Sequence, residues 1–287
     1  MKYSYYPGCS LCSTASEYNL SSEAICARLG IELQEIPDWN CCGATSAHSA
    51  SAYLSVALPL RNLILAESMG LDMVVPCAAC YHWQRVAHRE VVEGTPVGRK
   101  ANEELTEVMG RGYKGTLQIK HIMEVILQQQ VLDLLPEKVV TPLAGLKLAA
   151  YYGCLMLRPA EVVAFDDPEQ PQSIDNLAKA LGAETVRWSA KVDCCGGSFT
   201  LAESGVVGKL TADIVSAARR GGAAAIVTAC PLCQANLDTR QKENEVQMPV
   251  FYITELVGVA LGMPEARRWF RKHIVDPVPL LEELGLL

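Results

Sequence analysis

Short apolar runs alternate with amphipathic segments along the chain, and this order occurs twice. The apolar, β-rich runs predict strands at Lys2–Tyr6, Glu32–Ile36 and Asp72–Val75, and again at Leu146–Tyr152, Glu184–Trp188 and Ala224–Thr228. The amphipathic segments predict helices at about Glu17–Leu29 and Ala50–Met69, and again at about Gln172–Leu181 and Ser204–Arg220. Because strands that alternate with helices pair in parallel through right-handed crossovers, each half is predicted to be an α/β unit with a small, mostly parallel sheet flanked by helices.

A length of 287 residues leaves room for two such units. We place the N-terminal domain at residues 1–138 and the C-terminal domain at residues 139–287. The linker is predicted at Leu135–Gly145, which contains two prolines and follows a helix-like stretch at Ile119–Leu134. The first half also carries an insert at about residues 85–113, whose polar, glycine-containing sequence predicts a surface excursion.

Composition excludes several classes of function. Half of the residues are hydrophobic, but no apolar run reaches the roughly 18 residues that a membrane-spanning helix needs. The N-terminus lacks the apolar stretch of a signal peptide, so a cytoplasmic location is expected. A formal net charge of −7 and a pI near 5.3 argue against nucleic acid or an anionic membrane surface as a partner, because both attract basic faces.

Ten of the twelve cysteines fall into two matching sets. Each set has a single cysteine, then an adjacent pair after a gap of 31 or 39 residues, then a C-x-x-C motif after a gap of 34. The members are Cys9, Cys41, Cys42, Cys77 and Cys80 in the first half, and Cys154, Cys194, Cys195, Cys230 and Cys233 in the second. A shift of 153 residues superimposes the last four members of each set, and flanking sequences such as MVVPCAAC and IVTACPLC agree. The chain is therefore an internal duplication.

All three cysteine groups of each half follow a predicted strand. Ligands of parallel sheets bind beyond the carboxyl ends of the strands, so the five thiols of each half should converge on one edge. Without a signal peptide, clustered cysteines indicate metal or redox chemistry rather than disulfides.

Five converging thiols exceed the four ligands of a structural zinc site or of a cubane iron–sulfur cluster. The adjacent cysteines of each pair can both ligate if they bind different irons, and the glycine after each pair lets the backbone approach closely. The residues therefore predict a cluster of several irons, opened out from the cube. A cubane with four ligands and one spare thiol stays open as an alternative.

The twofold cysteine pattern, which spans nearly the whole chain, resembles the CCG cysteine-rich domain, and the paired copies resemble the B-type subunit of CoB–CoM heterodisulfide reductase. Related domains in lactate, glycolate and glycerol-3-phosphate oxidoreductases usually share a chain with a ferredoxin-like CxxCxxCxxxCP segment, which this sequence lacks. The resemblance implies two noncubane [4Fe-4S] clusters, one held by each set of five cysteines.

The resemblance also implies an enzyme that reduces a disulfide held between the two clusters, with one electron from each. Two one-electron centres match a reaction that consumes two electrons and yields two thiolates. Electrons would arrive from a flavin-containing A-type subunit through a ferredoxin-like C-type subunit. No catalytic residue beyond the cluster ligands is predicted. The family's heterodisulfide carries sulfonate, carboxylate and phosphate groups, so a basic pocket is expected.

Two rival functions stay open. The chain could be an electron-transfer subunit of another dehydrogenase complex, of the lactate/glycolate or sulfur-oxidising type, that does not itself cleave a disulfide. It could also be a zinc scaffold without redox activity. The sequence contains no Walker or GxGxxG motif, so it does not support nucleotide or flavin binding.

Several other polar residues lie near the cysteine motifs. Cys26 is predicted to be a core residue, and Cys12 is predicted not to ligate because Leu157 takes its place in the repeat. Three histidines are predicted to have a helix-start or surface role, with contact to a cluster or the substrate as the alternative: His48, His82 and His121. The remaining candidates are predicted to be a solvated lysine and two loop-capping carboxylates, namely Lys191, Asp38 and Asp193.

Overall fold

Two four-stranded parallel sheets form the framework of the protein in a computed structural model that describes residues 1–200, 202–241 and 247–287. The first sheet contains β1 (Lys2–Tyr5), β2 (Glu32–Glu35), β3 (Met73–Val75) and β4 (Ile119–His121), in the order β2-β1-β3-β4. The second contains β5 (Lys147–Tyr151), β6 (Glu184–Thr185), β7 (Ala225–Thr228) and β8 (Val250–Tyr252), in the order β6-β5-β7-β8. The matching orders confirm the predicted α/β fold with two pseudo-symmetric units.

Helices follow the strands in both halves. Those of the first half are α1 (Gly8–Leu11), α2 (Ser16–Arg28), α3 (Ala47–Ala50), α4 (Ala52–Ser68), α5 (Ala78–Val92), α6 (Pro96–Met109), α7 (Ile122–Ile126), α8 (Gln129–Leu132) and α9 (Leu135–Lys138). Those of the second half are α10 (Ala160–Val163), α11 (Ser173–Ala180), α12 (Ser204–Arg220), α13 (Pro231–Thr239), α14 (Ile253–Ala260), α15 (Ala266–Trp269) and α16 (Val278–Glu283). Among the described residues, no helix combines the length and the apolar character needed to cross a membrane.

The register of the strands places the cysteine-bearing loops on one edge of each sheet. Tyr5, the last residue of β1, lies beside Glu35 of β2 and Val74 of β3. The three strands therefore end at the same level, and the chain leaves each of them toward the same side. The second sheet repeats this arrangement, with Tyr151 of β5 beside Thr228 of β7.

The fourth strand of each sheet was not predicted. The helix-like stretch Ile119–Leu134 begins as strand β4 and continues as the short helices α7 and α8, so the single helix expected there is wrong. Because β4 runs directly into α7 without a loop, its three residues cannot be told apart from the start of a helix. The strand predicted at Glu184–Trp188 is also too long, because β6 ends at Thr185. Beyond its end, the side chain of Trp188 donates through Nε1–H to Ala150 O at 3.2 Å.

The insert at about residues 85–113 forms a helical hairpin at the surface. The end of α5 and the whole of α6 occupy it, and both helices pack against α4. Ala101 and Tyr113 are buried beneath the hairpin, and Asn102 bonds through its side chain to both the N–H and the carbonyl of Tyr113. The insert is therefore an ordered part of the first unit and not only a surface excursion.

The predicted linker Leu135–Gly145 begins with α9 and then contacts the second half. The N–H groups of Val140 and Thr141 both donate to Ala260 O, at 2.8 and 3.0 Å. The domain boundary between residues 138 and 139 stays a prediction.

Elements of each half pack on the other half. In one direction α2 packs against α14, where Ser21 Oγ lies 2.7 Å from Thr254 Oγ1. In the other direction α10 packs against α5, and the Tyr81 hydroxyl donates to Val163 O at 3.0 Å. The buried apolar side chains of both halves form one continuous core. This packing turns the cysteine-bearing edges of the two sheets toward each other.

Candidate metal centres

Three loops bring the five cysteines of the first half together, and we call this set the N-terminal cradle. Cys9 lies in α1, directly after β1. Cys41 and Cys42 lie in the loop that follows β2. Cys77 precedes α5, and Cys80 lies in its first turn, just beyond β3. The convergence predicted from the strand ends is present.

The second half builds a matching set, the C-terminal cradle, from equivalent loops. Cys154 follows β5, and the pair Cys194–Cys195 follows β6. Cys230 precedes α13, and Cys233 lies in its first turn, beyond β7.

Thiols contact one another within each cradle in the same pattern. In the N-terminal cradle, the Sγ atoms of Cys9 and Cys41 are 3.7 Å apart, and those of Cys42 and Cys80 are 3.3 Å apart. In the C-terminal cradle, the Sγ distances are 3.8 Å between Cys154 and Cys194 and 3.5 Å between Cys195 and Cys233.

The two cradles also meet. The thiols of Cys77 and Cys230 lie near enough to shift each other's pKa, upward for Cys77 and downward for Cys230. The four cysteines of the two C-x-x-C motifs are buried, whereas Cys41 and Cys194 are exposed. The thiols thus run from an exposed end of one cradle, through a buried centre, to an exposed end of the other.

Burial and crowding set the protonation of the thiols. Hydrogen bonds with neighbouring thiols, together with burial, raise the pKa of Cys80 and of Cys233 well above the ordinary value. Contact with Cys42 and Cys9, and the Gly43 N–H, lower the pKa of Cys41 to about 2. Thiols in mutual contact cannot all ionise without a counter-charge, because adjacent thiolates repel each other.

Two glycines that the sequence analysis did not single out let the backbone approach the thiols. Gly8 and Gly153 directly precede the first cysteine of each cradle and have φ values of +73° and +66°. A Cβ atom added to Gly8 would lie 3.1 Å from Cys80 Sγ, and one added to Gly153 would lie 3.2 Å from Cys233 Sγ. The signal was present in the repeated Gly-Cys step of YYPGC and YYGC.

Two buried tyrosines occupy equivalent positions beneath the cradles. The Tyr6 hydroxyl donates to Asn40 O at 2.8 Å, and the Tyr151 hydroxyl donates to Asp193 O at 2.6 Å. Each accepting carbonyl belongs to the residue before a cysteine pair. The tyrosines therefore anchor the loop that carries each pair to the strand that leads to each single cysteine.

Tyr18 joins the two halves where the cradles meet. Its hydroxyl lies within hydrogen-bonding distance of Pro76 O, at 3.0 Å, and of Ala229 O, at 3.2 Å. These carbonyls precede Cys77 and Cys230. Tyr18 is fully buried and stacks on Tyr252, with ring centroids 4.2 Å apart.

The donor set fits an iron–sulfur cluster in each half. Thiolates are the usual ligands of such clusters, and bound iron supplies the positive charge that crowded, buried thiols need in order to ionise. A side chain at Gly8 or Gly153 would crowd the thiol of Cys80 or Cys233. Within the described ranges, no three or more Cys, His, Asp or Glu side chains form a group that could hold a metal ion as they stand. Ligation by the ten cysteines stays a prediction.

The two cysteines outside the sets differ in environment. Cys26 is fully buried in α2, where burial raises its pKa to about 12, so the predicted core role is confirmed. Cys12 is exposed beyond the end of α1.

His82 lies two residues beyond Cys80 of the N-terminal cradle, whereas His121 is influenced by Cys230 of the C-terminal cradle. Burial lowers the pKa of His82 and of His121 to about 4. His121 caps α7, with Nδ1 accepting from Met123 N at 3.2 Å. His48 stacks on Trp83, with ring centroids 5.0 Å apart. Because His82 and His121 are buried, the surface role expected for them is wrong, and a role toward a cluster or the substrate stays an untested alternative for all three histidines.

Lys191 is not the solvated side chain that was predicted. Its Nζ lies 2.8 Å from Asp175 Oδ2 and donates to Pro171 O at 2.9 Å, and only 14% of the side chain is exposed. These bonds of Lys191 instead fix the position of the loop that precedes Cys194 and Cys195. Asp38 has a φ of +55° and forms an ion pair with Arg61. The carbonyl of Asp193 accepts a hydrogen bond from the Tyr151 hydroxyl. Both aspartates thus lie in loops, as predicted.

A small cavity lies within the C-terminal cradle, beside a larger cleft between the halves. The cavity has a volume of about 110 Å³ and is lined by all five cysteines of this cradle. The larger space, which we call the inter-half cleft, has a volume of about 790 Å³. Three residues next to the cysteines line both spaces: Gly197, Ser198 and Leu232. The cleft also reaches Thr45 and Ser46, which follow the cysteine pair of the N-terminal cradle.

Comparison with curated proteins gives relatives of matching length. The chain is 33% identical to the 8-methylmenaquinol:fumarate reductase membrane anchor subunit of Wolinella succinogenes, over 97% of this chain and 99% of the relative. It is 26% identical to the B-type subunit of a ferredoxin/F420H2-dependent CoB–CoM heterodisulfide reductase of Methanosarcina acetivorans, over 99% of this chain and 97% of the relative. It is 28% identical to a protein of Archaeoglobus profundus that is named as similar to the B-type heterodisulfide reductase subunit, over 91% of both chains.

The fold also has a counterpart among solved structures. A hypothetical protein from Helicobacter pylori superimposes with a TM-score of 0.71 at 10% identity, covering 95% of this chain and 51% of that one. At this identity the likeness concerns the fold alone. The family model of the CCG cysteine-rich domain matches residues 3–84 and 148–238, one copy in each half and more than half of the chain in total. The protein therefore belongs to the CCG cysteine-rich domain family and carries the domain twice.

Proposed function

We propose that the protein is the disulfide-reducing iron–sulfur subunit of a heterodisulfide reductase-type complex. In this proposal each cradle holds one noncubane [4Fe-4S] cluster through its five cysteines, and the disulfide binds in the inter-half cleft. The observation that carries the proposal is the position of the cleft. It adjoins the loop after the cysteine pair of both cradles, so one substrate there can reach both centres.

The chemistry requires two electrons and two protons for each disulfide, which yields two thiols. Bound clusters would supply the electrons one at a time and could accept the thiolates released. The chain itself contributes the enclosure. The thiols of both C-x-x-C motifs are buried. The main chain at Gly8 lies close to the thiol of Cys80, and the main chain at Gly153 lies close to that of Cys233.

The relatives are named as subunits of larger enzymes, and we extend this to the present chain. A ferredoxin-like C-type subunit and a flavin-containing A-type subunit would deliver electrons. We assign the complex to the cytoplasm. A cluster of a partner subunit could approach the two cradles at their exposed cysteines, which are Cys9, Cys41 and Cys194.

A second function is favoured by one specific observation. The relative at 33% identity is named as a subunit of a fumarate reductase, which is a different complex from heterodisulfide reductase. In this alternative the two cradles pass electrons between partner subunits, and no disulfide is cleaved.

The two functions are separated by measuring disulfide-dependent oxidation of reduced benzyl viologen by the anaerobically reconstituted protein. The proposal predicts turnover with at least one small disulfide. Cys41→Ser should abolish this turnover, and Cys12→Ser, which changes another exposed cysteine of the same half, should not. Fast oxidation of reduced viologen by a one-electron acceptor, with no disulfide reduced, would instead support the electron-transfer role.

A further inference from the structure

The inter-half cleft is not the basic pocket that a polyanionic disulfide requires. Among its described lining residues, Lys272 is the one lysine or arginine. This single cation donates one hydrogen bond, to Ser16 Oγ at 2.6 Å, and cannot balance several anionic groups by itself. Most of the other polar lining residues carry hydroxyl or amide groups, such as Thr45, Ser198 and Asn236. A ligand with several sulfonate or phosphate groups would lose hydration here without gaining matching cations.

Two carboxyl groups line the same cleft, those of Glu17 and Asp238, and Asp238 accepts hydrogen bonds from the main chain. Asp238 accepts from the N–H of Ile274 at 2.7 Å and from the N–H of Val275 at 3.0 Å. These bonds hold the C-terminal segment against α13. Both oxygens of Asp238 therefore already have a hydrogen-bond partner in the fold.

The second carboxyl group, that of Glu17, does not hold another segment of the chain through hydrogen bonds of this kind. It lies in the first turn of α2, lines the cleft, and is only 3% exposed. Its Oε2 atom is buried and has no hydrogen-bond partner among the described residues. A buried carboxyl oxygen without a partner is costly, and a ligand that donates a hydrogen bond would remove that cost.

The charged groups around Glu17 do not supply this partner. Burial raises the pKa of Glu17, hydrogen bonding by its own main-chain N–H lowers it, the neighbouring Glu255 raises it, and His273 and Lys272 lower it. His273 is paired with Glu255 through a 2.9 Å contact, and Lys272 is bound to Ser16. Two carboxyl groups, of Glu17 and Asp238, and one ammonium, of Lys272, therefore line the described part of the cleft, so it favours a cationic ligand over a polyanion.

We propose that the inter-half cleft binds a disulfide that carries a protonated amine, and that Glu17 binds this amine. The reduction step in this inference rests on the proposed function, whereas the binding of the amine does not. In the reaction R–S–S–R takes up two electrons from a reduced low-potential donor and two protons from solvent, and the S–S bond breaks to give two R–SH. Glu17 recognises the substrate and takes no part in the bond cleavage.

The test compares three small disulfides that differ mainly in charge: cystamine, bis(2-hydroxyethyl) disulfide and 3,3′-dithiodipropionate. Binding to the oxidised, cluster-loaded protein is measured by calorimetry, without any reductant. We expect cystamine to bind about tenfold or more tightly than the other two, as is usual for a charge-assisted hydrogen bond in a shielded site. Glu17→Gln should remove this preference, and Glu17→Asp should keep part of it.

Glu23→Gln is the matched control, because Glu23 is an exposed glutamate of the same helix. It should leave all three affinities unchanged. Tighter binding of dithiodipropionate than of cystamine, or an unchanged cystamine affinity in Glu17→Gln, would overturn the inference. If cystamine binds through Glu17 but no disulfide is reduced, the proposed function fails while the assignment of the binding site holds.

Discussion

At the scale of single residues, Gly8 and Gly153 determine whether a cluster can be held against the backbone. Both have positive φ, and an added Cβ would press on a thiol of the C-x-x-C motif. We predict that Gly8→Ala lowers the iron content of the reconstituted protein by about half, because only the N-terminal cradle is disturbed. Gly153→Ala should remove the other half. Iron and acid-labile sulfide per chain are the quantities to measure.

Gly30→Ala and Gly222→Ala are the controls for backbone strain. These glycines have φ of +75° and +82°, yet an added Cβ would have no neighbour within 4 Å. The substitutions should cost about 1 kcal/mol of stability each and leave the iron content unchanged. Equal iron loss in all four variants would show that strain, and not the approach to the thiols, causes the effect.

His273 and Glu255 form a buried pair whose strength depends on pH. Burial lowers the pKa of His273, but attraction and hydrogen bonding by Glu255 outweigh this and raise the pKa from 6.5 to about 9. Because the folded pKa is the higher one, the stabilisation is complete below about pH 6.5 and is lost as the pH rises through about 9. We predict a loss of up to about 3 kcal/mol over this range, read as a falling melting temperature.

Variants of either partner test this pH dependence. Both His273→Gln and Glu255→Gln should lower the melting temperature at pH 6 and flatten its decline between pH 6.5 and 9. A variant whose melting temperature declines in parallel with that of the parent protein would contradict the assignment to this pair.

At the scale of elements, the hairpin of α5 and α6 depends on one close contact between helices. A Cβ added to Gly98 in α6 would lie 2.2 Å from Glu90 O in α5. We predict that Gly98→Ala destabilises the protein by about 1–3 kcal/mol, because backbone cannot move aside as a side chain does. Thermal unfolding measures this. Gly208→Ala in α12, where the added Cβ would meet nothing within 4 Å, should be neutral or slightly stabilising.

The elements that lead into the cysteines could be predicted well from the sequence. The helix at Ser204–Arg220 has its predicted bounds, and the strands at Lys2–Tyr5 and Ala225–Thr228 each differ by one residue at one end. Their patterns are long or apolar enough to be recognised without tertiary information. The strands β4 and β8 could not be recognised, because each runs without a loop into a helix and its extended form depends on pairing with β3 or β7.

At the scale of the whole molecule, the duplication explains which cysteines share a cradle, and the repeat alone was sufficient to predict this. The proximity of Cys77 to Cys230 could not be predicted, since it depends on how α2 packs on α14 and α10 on α5 across the halves. The same is true of Tyr18, whose hydroxyl lies beside carbonyls of both halves. Contacts between distant segments leave no periodic trace in the sequence.

The central claim is that both cradles bind clusters through their ten cysteines, and iron analysis of the anaerobically reconstituted protein tests it most directly. We predict about eight irons and about eight acid-labile sulfides per chain, as two [4Fe-4S] clusters require. Four irons or fewer per chain, with zinc in the other cradle, would contradict the account.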